Sequence, residues 1–566
     1  MTDAVVSPKS VATLVRERVS QQPDRSVLAV DDGSALALGE WVRRAEHVGA
    51  VLRLRGVETG DRVALVVDDG GWVEYAVANL AVYLAGATGV GLNDRLGGEV
   101  IKARVAECEA RAVIHSRDAA VPAAAVPNWS VGDLEASTEV PSPEAAREAL
   151  THAADVPASA IAEIVYTSGT TGPAKRVAVS HANLTFGRDS RGELFGGIES
   201  ILCAVPPGTN AGHSALIVAL TTGSRAHVLR RIDAASIAGA IEREGIQHAI
   251  LPPGSAAELV ATGAHRRYNL SSLRALMFGS SAVPDRVVSA LSEAVPAAQI
   301  MIGYGSTESA PAFARKSAPA WSEHQDPLRY RPIKLASLGT AGGGTEVAIV
   351  DPHGRRLPPG EVGEICLRCE APPRYYLDKD PRVAGVFSDD GWVRMGDLGM
   401  IAADESLLFV DRVADSVVSA GHRISSAMVE NALLWHPSVR AAAVFAVPDE
   451  RAGQRAIAAV EAAPDTSTAD LISFLEGELD PADRPATILV VPELPRGVTG
   501  KVLKVQLRET YRDFRNVDVR PQGTRVRKEW HGGNEANEGV PGDRAEADVR
   551  DGAGLARLGA VRQDRG

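Results

Sequence analysis

The stretch "YTSGTTGPAKRVAVSHANL" at 166–184 decides how this chain is read. It leaves an apolar run at Tyr166, fills 167–172 with threonine, serine and glycine, and reaches a lysine at 175. A Walker phosphate loop needs GxxxxGK followed by Ser or Thr. Counted from Gly169, the second glycine falls on Ala174, and Lys175 is followed by Arg176, so the pattern fails and a P-loop ATPase is set aside. The chemistry still suits phosphate. Gly169 and Gly172 permit positive φ and close approach of the backbone to a ligand. Thr167, Ser168, Thr170 and Thr171 carry hydroxyl donors, and Lys175 supplies charge for a polyphosphate. The competing reading is a Ser/Thr/Gly-rich surface turn.

Around this loop, helical and strand patterns alternate from about residue 8 to 350. "VRRAEHVGAVLRLRG" at 42–56 repeats apolar residues at helical spacing and stops on Gly56, and "RVALVVDD" at 62–69 reads as a buried strand with a turn. "QHAILPP" at 247–253, "LRALMFGSS" at 273–281 and "AQIMIGYGS" at 298–306 are further strands. Repeated strand, turn and helix predict an α/β fold with a parallel, doubly wound sheet. Ligands of such sheets sit beyond the carboxyl ends of the strands, which points to the polar loops after "IVY", "LMF" and "MIGY". After about 345, "TEVAIVD", "GEICLR" and "SLLFVDR" predict antiparallel structure, and from 425 two helix–strand pairs predict a small α+β unit. Beyond about 512 the chain is rich in glycine and charge with little apolar periodicity, which predicts a disordered tail.

The 566 residues exceed one ordinary core, so two or more domains are expected. A net charge of −12 opposes a nucleic-acid partner, because phosphate backbones need basic surfaces. The start of the chain lacks a basic segment followed by an apolar run, so no secretory leader is expected. "AVANLAVYLAGATGVGL" at 76–92 is interrupted by Asn79, Gly86 and Gly89, and it falls short of the roughly 20 residues that span a bilayer. It predicts a helix running into a buried strand, and no membrane partner. The four cysteines, Cys108, Cys203, Cys366 and Cys369, suit a reducing, cytoplasmic location. Cys366 and Cys369 form a CxxC, but no second pair stands near them, and "EICLR" alternates as a strand does, so a strand that happens to hold two cysteines is preferred to a redox pair or zinc half-site.

Four more segments carry chemistry. "YGSTES" at 304–309 puts Thr307 beside Glu308, a hydroxyl for phosphate next to a carboxylate for Mg²⁺. "GWVRMGDLG" at 391–399 offers Asp397, able to accept both hydroxyls of a ribose. "DRVADSVVSAGHRIS" at 411–425 carries Arg412, Asp415 and Gly421, and "LPRGVTGKVLK" at 494–504 places Lys501 after a glycine.

On these five ordered motifs the chain resembles the adenylate-forming ANL superfamily of acyl-CoA synthetases, nonribosomal adenylation domains and luciferases, over roughly residues 8–510. The resemblance implies a large N-terminal domain of two doubly wound α/β subdomains plus a distorted β-barrel over 1–410, a hinge at 411–415 and a small mobile α+β domain over 416–511, with the tail at 512–566. It implies that 167–175 cradle the phosphates of ATP and that Gly279, Ser280 and Ser281 line the adenine and acyl site. Tyr304, followed by Gly305, would stack on the adenine, Thr307 hold the α-phosphate and Glu308 hold Mg²⁺. Asp397 would take the ribose with Arg412 assisting, Lys501 bridge the carboxylate and the α-phosphate, and Gly421 let a pantetheine arm pass. The reaction implied is ATP-dependent ligation of a carboxylic acid through an acyl- or aryl-adenylate, with CoA as the favoured acceptor. An amide synthetase or a carrier-protein loader of secondary metabolism is the alternative. A catalytically silent nucleotide-binding relative would lack Lys501, Glu308 or Asp397, and all three are present.

The chain departs from the family pattern in places. Ala174-Lys175-Arg176 stands where Pro-Lys-Gly is usual, Ala414 occupies the hinge position usually held by Asp or Lys, and Val418 stands where a basic or amide residue is common. "VPPGTNAGHS" at 205–214 lacks the aromatic or histidine found early in the matching segment of many CoA ligases. These changes leave CoA, an amine and a carrier thiol open as acceptors. The acid is expected among small and polar residues, with Asn210, His213, Gly279 and Ser309 as candidate contacts. His213 is equally readable as a solvent-facing residue at a helix start. No aspartate begins that segment to anchor an α-amine, which favours an aryl or short acyl acid over an α-amino acid.

Overall fold

A computed structural model describes residues 8–512 except 124, 152–155, 168–173, 188–197, 223, 280–282, 284, 319–335, 343, 379–383 and 498–500. Ser168, Gly169, Thr170, Thr171, Gly172, Ser280, Ser281 and the tail from 513 therefore lie outside the described residues.

The first sheet is built on three parallel strands, Arg62–Val67, Thr88–Asn93 and Ala112–His115. Helices Leu38–Leu54 and Trp72–Leu84 cover it. In the first helix Leu38, Trp41, Val42, Ala45, Val48 and Leu52 recur at helical spacing and are all buried. The Trp41 indole donates to the Ala76 carbonyl at 2.8 Å, satisfying its N–H inside the core. The apolar run at 76–92 is a helix ending at Leu84, a turn with Gly86 at φ +77°, and the strand Thr88–Asn93, as its interruptions predict. No helix among the described residues is long and apolar enough to cross a membrane.

Ile161–Thr167 joins the sheet parallel to Thr88–Asn93, and Lys175–Ser180 then returns antiparallel beside it. The quoted loop thus connects two strands of a hairpin, and a short helix, His181–Thr185, follows only after the second strand. This corrects the expectation of strand, turn and helix at this point. A P-loop works by aiming a helix N-terminus at phosphate. Here the loop opens into a strand instead, so hydroxyls, glycines and the Lys175 cation are what it offers.

The second sheet is wound from the parallel strands Ser200–Cys203, Arg225–Val228, His248–Leu251, Ala275–Phe278 and Gln299–Tyr304. Past Gln299–Tyr304 it turns antiparallel, through Phe313–Ala318 and Ala336–Gly342 to Leu407–Arg412, Val393–Ile401, Gly363–Arg368 and Glu346–Val350. The antiparallel part therefore begins at 313, about thirty residues before the change of texture in the sequence, and continues the parallel sheet edge to edge. Cys366 is buried in the strand Gly363–Arg368 opposite Ala348, and Cys369 lies past its end.

A separate five-stranded sheet forms the small domain, built on the long hairpin Val439–Asp449 and Gly453–Ala462. Helices Ser426–Trp435 and Thr468–Glu478 pack their apolar stripes, including Val429, Leu433, Leu471 and Leu475, onto Val444 and Val460. The chain leaves the large sheet at Arg412 and enters the small one at Val417. Ser425 joins the two, accepting from the Met428 amide as helix cap and donating to the Val410 carbonyl at 2.7 Å.

Candidate active site

The carboxyl end of Gln299–Tyr304 and the antiparallel strands beside it bring distant motifs together. Tyr304 is the last residue of its strand, and its hydroxyl donates to Asp397 at 2.8 Å. Asp397 sits opposite Arg412 in the ladder between Val393–Ile401 and Leu407–Arg412, with the guanidinium 3.6 Å from its carboxylate. Burial raises the Asp397 carboxyl, while Arg412, the Tyr304 hydroxyl and Lys501 pull it down. Burial also holds the Tyr304 phenol well above its usual value, so it stays a donor.

Lys501 comes from the other domain into the same group. Burial pushes its ammonium down to about 8, Arg412 adds to that shift, and Asp397 and Glu308 oppose it. Sequence positions 308, 397, 412 and 501 therefore share one electrostatic site. Asp397, Tyr304 and Lys501, each shifted by burial and by specific neighbours, make this cluster a candidate functional site.

Thr307 and Glu308 lie in the turn after Tyr304. Ser306 and Ser309 staple it, each backbone amide donating to the other's hydroxyl at 3.1 Å. The Ser309 hydroxyl, a candidate acid contact, is thus engaged within the turn. Gly305 packs against the backbone beyond that turn, where a Cβ would stand 3.2 Å from the Ala312 carbonyl. Arg374 donates to the Thr307 carbonyl at 2.8 Å and to the Asn183 side chain at 2.9 Å. Burial lowers the Arg374 guanidinium to about 10, against the pull of Glu163 and Glu308. The Tyr376 hydroxyl donates to Glu308 at 2.8 Å.

Thr167 and Lys175 face each other at the loop end of the hairpin, and the Lys175 ammonium sits 5.3 Å above the Tyr376 ring. Arg176, the unusual residue of the loop, is part of a clamp. Its side chain pairs with Asp378, Nε lying 2.9 Å from Oδ1, and its backbone amide donates to the same carboxylate at 3.1 Å. Gly279 follows the strand Ala275–Phe278 and lies beside the Gly303 carbonyl. Gly421 stands apart, at φ +81° in the hairpin between Val417–Ser419 and His422–Ile424.

Asn210 opens the helix Asn210–Thr222, and His213 is in its first turn, only 2% exposed. The histidine is held between two polar partners of the first sheet's layer. Nε2 meets the Tyr83 hydroxyl at 2.6 Å, and Nδ1 pairs with the Glu163 carboxylate, itself 3% exposed. It therefore faces neither solvent nor an open surface, and it ties the two subdomains together. Tyr83→Phe would strip the ring of one partner. The expected result is a loss of about 1–3 kcal/mol of stability in denaturant unfolding, with the KM for the acid unchanged. A raised KM at unchanged stability would support His213 as a contact of the acid.

Arg374, Tyr376, Asp378, Asn183, Glu163 and Tyr83 were not picked out from sequence. The only local signal was "RYYLD" at 374–378, two charges flanking an aromatic pair at the end of a strand-rich segment.

Comparison with known proteins gives this site a family. A model described as AMP-binding enzyme matches residues 15–377, and one for the AMP-binding enzyme C-terminal domain matches 428–501. The chain belongs to the AMP-binding enzyme family. It is an adenylating, AMP-forming ligase of the ANL superfamily. This AMP-binding enzyme is 28% identical over 543 residues to "4-coumarate--CoA ligase-like 9" of Oryza sativa subsp. japonica, covering 90% of this chain and 94% of that one. It is 29% identical over 492 residues to "Feruloyl-CoA synthase" of Amycolatopsis sp, covering 85% and 94%. Among solved structures it resembles the amide bond synthetase McbA from Marinactinospora thermotolerans, with a TM-score of 0.73 at 25% identity over 88% of this chain and 99% of that one.

Proposed function

We propose that this AMP-binding enzyme activates an aryl or short acyl carboxylic acid as its adenylate and passes the acyl group to the thiol of CoA. The observation that carries the reading is the cluster in which Asp397 faces Arg412 across the ladder and accepts from Tyr304, with the charge of Lys501 acting on Asp397, Arg412 and Glu308. The carboxylate oxygen attacks the α-phosphorus, the bond to the β-phosphate breaks, and pyrophosphate leaves. Both reactants are anions, so the barrier is dominated by charge and positioning. Lys501 meets the negative charge gathering on the α-phosphate and the attacking carboxylate. Asp397 and Arg412 orient the ribose, and Tyr304, braced by its bond to Asp397, offers a ring face to the adenine.

Glu308 would hold Mg²⁺ against the phosphates, where the cation supplies further charge neutralisation. Among the described residues no group of three metal-ligating side chains exists, and a single carboxylate suits a cation that takes its other ligands from phosphate and water.

The relatives' names carry 4-coumarate, feruloyl and CoA, which supports an aryl acid and a CoA acceptor here. An amine acceptor, as the name of McbA suggests for that protein, is the second reading. It is favoured by Val418, an apolar side chain 39% exposed at the position where a basic or amide residue is common in the family, although Arg423 stands opposite it in the ladder. The deciding experiment is acid-dependent ATP–pyrophosphate exchange over a panel of aryl, short acyl and amino acids, followed by product analysis with CoA, with amines and with neither. Exchange with aryl acids and a thioester product are expected. Exchange confined to α-amino acids would overturn the acid class, and amide without thioester would overturn CoA.

A further inference from the structure

We propose that Tyr376 is a positioning residue that couples the phosphate-side Lys175 to the metal-binding carboxylate of Glu308. Two contacts of one side chain carry this. The ring lies 5.3 Å beneath the Lys175 ammonium, and the hydroxyl donates to Glu308 Oε1 at 2.8 Å. The terminal torsion of a glutamate is broad, so an untethered carboxylate turns freely. The bond to Oε1 fixes the direction in which Oε2 points.

The surrounding structure holds the tyrosine in place. Tyr375–Tyr376 is a two-residue edge strand, too short to persist on ladder bonds alone. Tyr376 pairs in register with Val177, and the Leu377 amide donates to the Arg176 carbonyl at 2.9 Å. The Arg176–Asp378 clamp then closes the ribbon one residue further on. Phe387 packs edge-on against the Tyr376 ring, with centroids 5.0 Å apart. The arginine that breaks the usual loop pattern thus fixes the register that puts Tyr376 between Lys175 and Glu308. Lys175 and Glu308, 133 residues apart by subtraction of their numbers, would respond to the same polyphosphate through one ring.

The coupling rests on the ATP site proposed above and is read by binding, not turnover. ATP affinity is measured by calorimetry with Mg²⁺ and again with EDTA. Tyr376→Phe keeps the ring beneath Lys175 and the packing on Phe387 but removes the hydroxyl. It is expected to leave Mg²⁺-free affinity unchanged and to lose about tenfold of the gain that Mg²⁺ confers. Tyr376→Leu should weaken both. In a Glu308→Gln background, Tyr376→Phe should cost nothing further. A wild-type ratio of the two affinities in Tyr376→Phe overturns the coupling alone. Absence of ATP binding by the unmodified protein overturns the ATP site together with it.

Discussion

Lys501→Ala is expected to lower acid-dependent ATP–pyrophosphate exchange by about a hundred- to thousandfold, the usual cost of removing one group that stabilises transition-state charge. The loss should fall on the adenylation step. Acyl transfer from a supplied adenylate meets no repulsion between carboxylate and phosphate, so that step should survive. The same residue sets a pH dependence. Its ammonium titrates at about 8 in the free protein, held down by burial and by Arg412. Below that value the lysine carries the charge the reaction needs, and above it the charge is lost. The kcat/KM for exchange should therefore fall as pH rises through about 8. Bound ATP and acid are anions that favour the charged form, so the falling limb of kcat should lie higher than that of kcat/KM. Lys501→Arg, charged throughout this range, should remove the limb even where its rate is low. Exchange that survives Lys501→Ala, or an unmoved limb in Lys501→Arg, would take the role away from this lysine.

The parts of this site legible in the sequence are those whose chemistry is written locally. Thr307 next to Glu308, Asp397 and Lys501 after a glycine stand out as candidates by residue type alone, although the sequence puts Asp397 in a turn and the structure puts it inside the strand Val393–Ile401. The alternation of apolar runs likewise shows the parallel strands, because each buried strand has its own hydrophobic signature. What stayed hidden depends on pairings between segments far apart. Arg176 reads as an anomaly in its loop, and only the fold brings Asp378 to it. His213 in isolation has the residue type of a ligand contact, and its role follows from Tyr83 and Glu163 on other elements. The hairpin at 161–180 was hidden for a different reason. Its second strand, "KRVAVS", follows a run of glycine and threonine that is equally good at opening a helix, and only the antiparallel ladder distinguishes the two.

The second large effect is expected at Lys504, three residues beyond Lys501. Its ammonium lies 2.7 Å from Glu430, 3.0 Å from the Ser426 hydroxyl and 3.6 Å from Asp415, with only 13% of the side chain exposed. Asp411 accepts from the Ser426 amide and hydroxyl at 2.6 and 2.9 Å, and Arg508 also pairs with Asp415 and donates to the Ala414 carbonyl at 3.0 Å. One lysine thus faces three carboxylates that straddle the passage from the large domain to the small one. Removing one partner of a buried ion pair strands the others, at a cost of about 3–5 kcal/mol. Lys504→Met should show that loss in unfolding of the small domain, read by hydrogen exchange over residues 416–511. Pyrophosphate exchange should fall with it, because Lys501 loses its frame. Arg508→Ala should cost less, since Lys504 still faces Asp415. The penalty should also depend on pH. Burial already raises the Glu430 and Asp411 carboxyls above 4.5 and 3.8, and in both Lys504 opposes the rise. Without the lysine both values climb further in the folded state than in the unfolded one. Groups raised on folding favour the fold where they are protonated and lose that contribution as pH rises through the folded value. The deficit of Lys504→Met relative to the unmodified protein should therefore be full near neutrality and shrink as pH falls through the raised carboxyl range. A deficit constant over that window would show that the lysine acts by packing its stem and not by holding the carboxylates around the hinge.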